Sequence, residues 1–335
     1  MKKRKNIALT GDRPTGKLHL GHFVGSIQNR IKIQEKYDSC FYMVADIQAL
    51  TDNAENPEKI RKNAFEIVLD NLAAGLDPKK TTFFIQSQIP EIAELNVLFL
   101  NLVTLSRLKR NPTVKNEMIQ NGFKENVPAG FLAYPVSQAA DILCVHANIV
   151  PAGDDQIPMI EQTNEIVAKF NSIYGKTFRK TATILSETPR LVGIDGKAKA
   201  SKSLENTIYL DDSPEEIKRK VMMMYTDPNH IKITDPGEIE GNVVFTYLDV
   251  FDKNKKSLEI LKQKYMKGGV GDIEIKVRLI NILEEVIAPI RKRRKELEKQ
   301  PEYIEKILRE GRAKTRVITK RTMKEVKKAI KIDYF

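Results

Sequence analysis

Asn6–His22 reads NIALTGDRPTGKLHLGH, an apolar run followed by a glycine-punctuated bend that ends in two histidines. The apolar residues up to Thr10 predict a short buried strand, which ends at Gly11. A helix is predicted from Leu18 onward. Sheets of parallel strands bind ligands at the carboxyl ends of their strands. The stretch therefore predicts both a fold class and the place where a ligand site should lie.

Strand-like and helix-like segments alternate through the first part of the chain. Three more short apolar runs predict strands, at Phe41–Ala45, Thr82–Ile85 and Ile149–Ala152. Helical patterns lie between and after them, from Pro57 to Gly75 and over 92–108, 135–145 and 159–170. Alternating strands and helices form a parallel sheet covered on both faces. We predict an α/β fold whose first domain, residues 1–209, is a Rossmann-like doubly wound parallel sheet.

The character of the sequence changes after about residue 212. Ser213 can cap a helix that has Pro214 at its first position, and helical periodicity dominates from there on. We predict an all-helical second domain over residues 210–335. The formal net charge is +12, and residues 271–335 carry 19 Lys and Arg against 11 Asp and Glu, or +8 of that total. Such concentrated charge favours a nucleic-acid partner, although a solvated basic surface is the alternative.

Composition excludes several classes of protein. Of the 335 residues, 41% are hydrophobic and 30% charged, an ordinary globular balance. The longest apolar-leaning stretch, Ile92–Leu105, contains Glu94 and two asparagines, whereas a membrane span needs about 18 or more apolar residues. Only a short apolar run follows the basic start, too short for a secretory signal. With Cys40 and Cys144 far apart, no disulfide scaffold or cysteine zinc site is expected, and we predict a cytoplasmic protein without a membrane segment.

The two histidines of the opening stretch suggest a nucleotide site. They lie in His19-Leu20-Gly21-His22, at the start of the predicted helix. Helix-opening N–H groups attract phosphate, and a neutral histidine can donate a hydrogen bond to phosphate oxygens. Gly21 lets a flat base approach the backbone. The alternative is a glycine-containing loop with a capping histidine.

A second motif lies about 180 residues later. Asp195–Ser203 reads DGKAKASKS, in which small residues surround three lysines. Such a loop can move and still carry positive charge, and lysine acts on phosphate as a point charge. The composition also fits an exposed flexible linker.

Together, and in this order, the two motifs resemble the signature pair of the class I aminoacyl-tRNA synthetases, His-Ile-Gly-His and Lys-Met-Ser-Lys-Ser. Here the second reads Lys199-Ala200-Ser201-Lys202-Ser203. Ala200 replaces the family's methionine, an apolar packing residue, so we expect altered loop closure with the chemistry kept.

Further stretches resemble one branch of that family. Tyr134–Leu143, YPVSQAADIL, is similar to its amino-acid-pocket helix, and Asn148–Gln156, NIVPAGDDQ, to the strand and loop that follow. Together with Gly11–Gly16 and Met224–Pro228, they resemble the bacterial-type tryptophanyl-tRNA synthetases. The resemblance runs through nearly the whole chain.

The resemblance implies the ligand contacts of ATP. His19, His22, Lys199 and Lys202 would be the catalytic residues. The ATP-binding set would be Arg13, Pro14, Thr15, Gly21, His22, Gly153, Asp154, Asp155, Leu191, Lys199, Ala200, Ser201, Lys202 and Ser203. A turn before the next helix is the alternative for Gly153 and Asp155, and Asp154 fits a helix cap better.

The resemblance also implies the contacts of the amino acid. Asp141 would accept the indole N–H, because a carboxylate among apolar neighbours is costly unless paired; a structural ion pair is the alternative. Tyr134 and Gln156 would contact the ammonium group. The implied set is completed by Gln138, Val150 and Gln48, with Phe23 as a further pocket candidate. Core packing is the alternative for Tyr134, Val150 and Phe23, and surface polarity for Gln156.

Two positions depart from many relatives. Arg13 stands where they have glutamine near the carboxylate, with which an arginine could pair directly. Gln48 stands where they have histidine. Both leave the pocket details open.

The implied ligands are ATP with Mg²⁺, L-tryptophan and tRNA(Trp), with the helical domain binding the tRNA anticodon. A homodimer is expected because relatives are dimers. A tyrosyl-tRNA synthetase is the nearest alternative, since it shares the fold and both signatures. A small nucleotidylyltransferase, an adenylate-forming ligase and a non-enzymatic basic RNA-binding protein are more distant ones.

Overall fold

A computed structural model describes residues 5–51, 53–120, 122–123, 126–185, 191–197, 200 and 204–334. Five strands form one sheet: β1 (Ile7–Asp12), β2 (Ser39–Val44), β3 (Thr81–Ile85), β4 (Ile149–Ala152) and β5 (Ala182–Leu185). All neighbouring pairs are parallel, in the order β3-β2-β1-β4-β5. The winding direction reverses between β1 and β4, where doubly wound sheets open a ligand crevice. The predicted α/β fold is confirmed.

Helices make up most of the remaining described chain. Through β5 they are α1 (Leu20–His22), a π-helix (Phe23–Ile27), α2 (Gln28–Lys36), α3 (Asp46–Ala49), α4 (Pro57–Ala74), a 3₁₀ turn (Gln86–Gln88), α5 (Pro90–Leu100), α6 (Leu105–Lys109), α7 (Pro112–Gln120), α8 (Ala129–Cys144), a 3₁₀ turn (Asp154–Gln156) and α9 (Ile157–Tyr174). After β5 they are α10 (Pro214–Met222), α11 (Val243–Phe251), α12 (Lys255–Lys267), α13 (Asp272–Glu298) and α14 (Pro301–Ala329). Among the described residues, none of these helices has the length and apolarity that crossing a membrane requires.

Some elements differ from the sequence-based expectation. The helix predicted from Pro135 begins at Ala129, because Pro135 lies inside α8 instead of at its first position. The helix predicted over 92–108 is two helices, since Thr104 caps a separate α6 through its side chain. Strand β5 was not predicted; it is only four residues long, contains Thr183, and its first and last residues are exposed.

The chain forms two compact units. The first comprises Met1–Gly16, Ser26–Ser186 and Gln300–Phe335, and the second comprises Lys17–Gly25 and Glu187–Lys299. This division differs from the predicted boundary at residues 209 and 210. The last helix, α14, is part of the sheet-containing unit, because Met323 and Val326 are buried in the same apolar cluster as Phe99 of α5 and Ala139 of α8.

Helix α14 covers the β3 edge of the sheet. A Cβ atom at Gly311 would lie 1.7 Å from the carbonyl oxygen of Phe83, so only glycine allows this approach. Farther along, the Thr322 hydroxyl donates to the carbonyl oxygen of Cys144 at 2.7 Å. Ion pairs Arg316–Glu91, at 3.1 Å, and Lys327–Glu94, at 2.6 Å, join α14 to α5. An edge strand with unpaired backbone groups invites association, and this helix shields it.

Candidate active site

The phosphate-binding candidates His19 and His22 belong to the second unit, where each ring is held by the backbone. His19 is the N-cap of α1, and its Nδ1 accepts the Gly21 N–H at 3.1 Å. The Nδ1 of His22 accepts the His19 N–H at 3.3 Å. A neutral imidazole that accepts at Nδ1 carries its proton at Nε2. The capping bonds therefore assign an Nε2–H donor to each ring, with the ring centroids 3.9 Å apart.

The 208–212 segment fixes the backbone of this motif. The Leu20 N–H donates to the Ile208 carbonyl at 2.9 Å, and the Leu210 N–H donates to the Leu18 carbonyl at 3.1 Å. The Tyr209 ring meets the His19 ring edge-on, with centroids 6.5 Å apart. The histidine motif is thus paired like a strand with a segment far away in sequence.

Buried charges anchor the 208–212 segment in turn. The Lys220 ammonium of α10 lies 2.5 Å from the Asp212 carboxylate and 4.7 Å from the centre of the Tyr209 ring. Arg291 of α13 donates to the Asp212 carbonyl at 2.7 Å. Lys17 pairs with Asp211. Within the second unit, helices α10 and α13 are therefore linked through this segment to the histidine motif.

One residue of the lysine-serine loop lies within the described chain. The Ala200 N–H donates to the carbonyl of the buried Leu191 at 3.1 Å. A Cβ atom at Gly21 would lie 3.9 Å from the Ala200 Cβ. The structure thus brings the loop's second residue beside the histidine motif, whereas Lys199, Ser201, Lys202 and Ser203 lie outside the described residues.

The amino-acid candidates other than Phe23 belong to the first unit, and Asp141 is the most unusual of them. Its side chain is buried, with 1% of the residue exposed. Oδ1 accepts a hydrogen bond from Gln86 Nε2 at 2.8 Å, while the buried Oδ2 has no hydrogen-bond partner among the residues that the structure describes. Burial raises the pKa of Asp141 to about 7; the Gln86 bond opposes this rise and the Asp46 charge adds to it. Among the described residues no cation pairs with Asp141, so the structural ion pair considered for it is absent there.

Helix α8 presents further candidates on the same face. Tyr134, Gln138 and Asp141 are spaced four and three residues apart, which places them on one side of a helix. The Gln138 amide donates to Gln156 Oε1 at 3.1 Å, and the Gln156 amide donates to Asp155 Oδ2 at 3.1 Å. This chain of amides ties the α8 face to the loop after β4.

Tyr134 lies among charged groups. Burial raises the pKa of its hydroxyl well above the ordinary value, with Glu117 and Asp155 adding to the rise and Arg13 opposing it. The ring packs edge-on against Phe131, with centroids 5.8 Å apart. The ring of Tyr134 therefore packs in the core, while its hydroxyl lies near charged side chains.

The loop after β4 is tightly built. A Cβ atom at Gly153 would lie 2.8 Å from Asp155 Oδ1, so the Asp155 carboxylate lies close against the backbone of this loop. The Thr113 hydroxyl donates to the Asp155 carbonyl at 2.8 Å and ties the loop to α7. Asp154 is exposed in the 3₁₀ turn and caps no helix through its side chain.

The remaining candidates lie in the sheet core, in the π-helix and in the segments that follow β1 and β2. Val150 is buried in the sheet core with Ala139 and Ile160. Phe23 begins the π-helix and is partly buried. In the loop after β1, the Thr15 N–H donates to the Arg13 carbonyl at 2.8 Å, and Pro14 is buried. Gln48 reaches the Asp141 environment through its backbone N–H, which donates to Gln86 Oε1 at 3.1 Å.

Sequence reasoning missed Gln86 and Asp46. Gln86 follows β3 directly and Asp46 lies just after β2. A polar residue directly after a predicted strand of a parallel sheet was the available signal, because those strand ends meet at one edge.

It also missed a buried network at the end of β1. Arg30 pairs with Asp12 through two bonds of 2.6 and 2.7 Å, and the Tyr42 hydroxyl donates to Asp12 at 2.9 Å. The Asn71 amide donates to the Tyr42 oxygen at 2.9 Å. This network fixes the carboxyl end of β1, from which the 13–16 loop departs. Within the described residues no group of His, Cys, Asp and Glu side chains could hold a metal ion.

Comparisons with known proteins show the family to which the chain belongs. Residues 1–288 match the family model for class I tRNA synthetases (W and Y). A tryptophan--tRNA ligase of Clostridium longisporum is 57% identical over 99% of this chain and 98% of its own length. One from Streptococcus pyogenes serotype M3 is 53% identical over 99% of each chain.

A solved structure extends the likeness to the fold. It is a tryptophanyl-tRNA synthetase from Campylobacter jejuni complexed with ADP and tryptophan. It has a TM-score of 0.85 and 30% identity, over 97% of this chain and 99% of that one. The chain therefore belongs to the class I aminoacyl-tRNA synthetases, in the branch of the bacterial-type tryptophanyl-tRNA synthetases.

Proposed function

We propose that the chain activates L-tryptophan with ATP, forming tryptophanyl-adenylate and pyrophosphate, and then transfers tryptophan to the 3′ end of tRNA(Trp). The named relatives support this aminoacyl-tRNA ligase activity. The single observation that carries it is the buried Oδ2 of Asp141, an acceptor for which the described part of the chain supplies no donor. Such an atom is costly until a ligand supplies a donor.

In this proposal the indole N–H of tryptophan donates to Asp141 Oδ2. Tyr134 and Gln156 contact the ammonium group, and the Gln138 amide donates to Gln156. Arg13 would pair with the substrate carboxylate. Val150 and Gln48 complete the set, Val150 by apolar contact.

ATP would be held by donors of both signature motifs. The two Nε2–H groups of His19 and His22 donate to phosphate oxygens. Gly153 and Asp155 would contact the ribose, and Leu191 accepts the backbone N–H of Ala200, the second residue of the lysine-serine loop. Lys199, Ser201, Lys202 and Ser203 would close over the β- and γ-phosphates. Mg²⁺ enters bound to the triphosphate as part of the substrate.

The reaction itself needs positioning and charge stabilisation. A carboxylate oxygen of tryptophan attacks the α-phosphorus, a new P–O bond forms, and the bond to the leaving pyrophosphate breaks. No protein nucleophile takes part. The contribution of the chain is to orient the two substrates and to stabilise negative charge that develops on the phosphates.

Three finer proposals accompany the activity. The basic helices α13 and α14 contact the tRNA, the enzyme is a homodimer, and it is located in the cytoplasm. The concentration of positive charge between residues 271 and 335 supports the first. Light scattering of the purified chain tests the dimer, and a monomer mass at working concentration would refute it.

The activity is tested by ATP–pyrophosphate exchange with each of the twenty amino acids. We expect exchange with tryptophan to exceed exchange with tyrosine and phenylalanine by at least about a thousandfold, since a site built around a ligand donor rejects analogues that lack it. Preferred exchange with tyrosine would establish the tyrosyl alternative instead. No exchange with any amino acid would overturn the proposal.

A further inference from the structure

Gln86 joins three elements at the carboxyl edge of the sheet. It lies directly after β3, and only 1% of the residue is exposed. Its Oε1 accepts the Gln48 N–H of α3 at 3.1 Å, and its Nε2 donates to Asp141 Oδ1 of α8 at 2.8 Å. Both ends of the amide are thus used, one by a backbone donor and one by a carboxylate.

These two bonds determine which way the amide points. A backbone N–H can only donate, so the Gln86 atom that faces Gln48 must be the oxygen. The nitrogen then faces Asp141, and because an amide nitrogen only donates, Oδ1 of Asp141 must accept. A proton on this carboxyl group can therefore be only on Oδ2.

We propose that Gln86 is a positioning residue for tryptophan selection: it holds the Asp141 carboxylate so that Oδ2 alone is presented, unprotonated, to the indole N–H. The inference rests on the proposed function, since it assigns Oδ2 to that ligand. Gln86 does not touch tryptophan in this arrangement; it acts through Asp141.

The charges around Asp141 make this role necessary. Asp46 of α3 opposes ionisation of Asp141, and the buried thiol of Cys144 lies one turn further along α8, with Glu91 of α5 facing that thiol. The Gln86 donor is the contribution that favours the charged form. Its loss would move the proton onto Oδ2, the atom that must accept.

Binding of L-tryptophan tests the proposal directly. The chain contains no tryptophan, so fluorescence of the ligand reports binding without a protein background of the same kind. At pH 8 we expect Gln86→Glu, which keeps the shape and adds a negative charge, to weaken the Kd for L-tryptophan at least tenfold. Gln86→Met, a neutral and apolar replacement of similar length, provides the same test should the charged variant fail to fold.

Gln88→Glu is the matched control, because Gln88 lies in the same turn but is exposed. We expect it to bind L-tryptophan within twofold of the wild type. Two further readouts separate positioning from a general packing defect. In Gln86→Met the binding falls off at a higher pH than in the wild type, and in an Asp141→Asn background Gln86→Met weakens binding less than twofold.

The outcomes separate the two claims. If the wild type does not bind L-tryptophan, the proposed function fails. If the wild type binds but Gln86→Met and Gln86→Glu match Gln88→Glu in Kd and pH profile, only the role of Gln86 is overturned. An equal loss on top of Asp141→Asn would also overturn it, since Gln86 would then not act through Asp141.

Discussion

At the scale of single residues, the buried Asp141 carboxylate destabilises the unliganded enzyme. Burial without a cation raises its pKa to about 7, so the folded state resists ionisation that the unfolded chain permits at an ordinary value near 3.8. The cost is full above pH 7, shrinks as the pH falls towards 3.8, and vanishes below that value. At about 1.36 kcal/mol per pKa unit it is on the order of 4 kcal/mol.

Asp141→Asn should therefore stabilise the unliganded protein while it impairs tryptophan binding. The uncharged amide avoids the burial of a charge, so we expect the melting temperature to rise by about 5 °C at pH 8. The gain should be smaller at pH 5. Thermal unfolding at both pH values measures it, with Glu55→Gln as an exposed control; a gain that does not depend on pH would contradict the explanation.

Lys202→Ala tests the loop that faces the phosphates in the proposed mechanism. We expect ATP–pyrophosphate exchange to slow by at least about a hundredfold, because the variant lacks the lysine charge that stabilises the departing pyrophosphate. The Kd for tryptophan should remain within about twofold. Lys197→Ala, an exposed lysine of the same stretch, is the control. Equal exchange in the two variants would remove Lys202 from the mechanism.

At the scale of elements, the contact of α14 with β3 depends on glycine at position 311, which has no side chain. Gly311→Ala places a Cβ against the Phe83 carbonyl, and α14 must move away. We expect a loss of about 1–3 kcal/mol in the free energy of unfolding, the usual cost of overpacking. Chemical denaturation measures this.

Gly130→Ala is the matched control, since its Cβ would meet nothing nearer than 4.0 Å inside α8. Alanine is the better helix former, so this variant should be neutral or slightly stabilised. Similar losses in both variants would mean that the α14 contact is loose.

The 208–212 segment makes a second prediction at this scale. Lys220→Met removes the ion-pair partner of the Asp212 carboxylate, whose side chain is 10% exposed, and breaking a largely buried pair costs up to about 3–5 kcal/mol. We expect hydrogen exchange of the Leu20 and Leu210 amides, which pair this segment with the histidine motif, to speed up at least tenfold. The exposed Lys218→Met is the control. Unchanged exchange of these amides would show that Lys220 does not support the motif.

The sequence predicted elements whose apolar pattern is local. Strand β4 was predicted at its observed bounds, since Ile149–Ala152 is a short buried run between polar flanks. Strand β5 and the return of α14 to the sheet depend on contacts with distant residues, which periodicity does not record. For the candidate site, the motif around His19 could be predicted because its residues are close in sequence. The Gln86–Asp141 bond could not, because it joins residues 55 positions apart.

At the scale of the whole molecule, the basic residues of the stretch 291–295 differ in how far they are exposed. Within the stretch 291–295, Arg291 pairs with Glu284, and the buried Arg294 pairs with Glu298 at 3.1 Å. Lys292, Arg293 and Lys295 are exposed on α13. The whole stretch is therefore unsuitable for neutralisation, and these three residues are the ones to change.

Replacing Lys292, Arg293 and Lys295 by glutamine should weaken tRNA binding in proportion to the lost phosphate contacts. In filter binding across a salt series, we expect the slope of log K against log salt to flatten by about 2–3 units. Replacing Lys169, Lys176 and Lys180, exposed lysines of the first unit, provides the control. An unaltered slope would assign the α13 charges to solvent.

The position of Gly311, more than 200 residues after the β3 strand that it contacts, has a consequence for biosynthesis. Until that residue leaves the ribosome, the edge strand Thr81–Ile85 of the nascent sheet is uncovered. Another polypeptide can then pair with its free backbone groups. A chain that terminates anywhere before α14 would never cover this strand. Such fragments should accumulate as insoluble material, so cellular quality control would have to clear them.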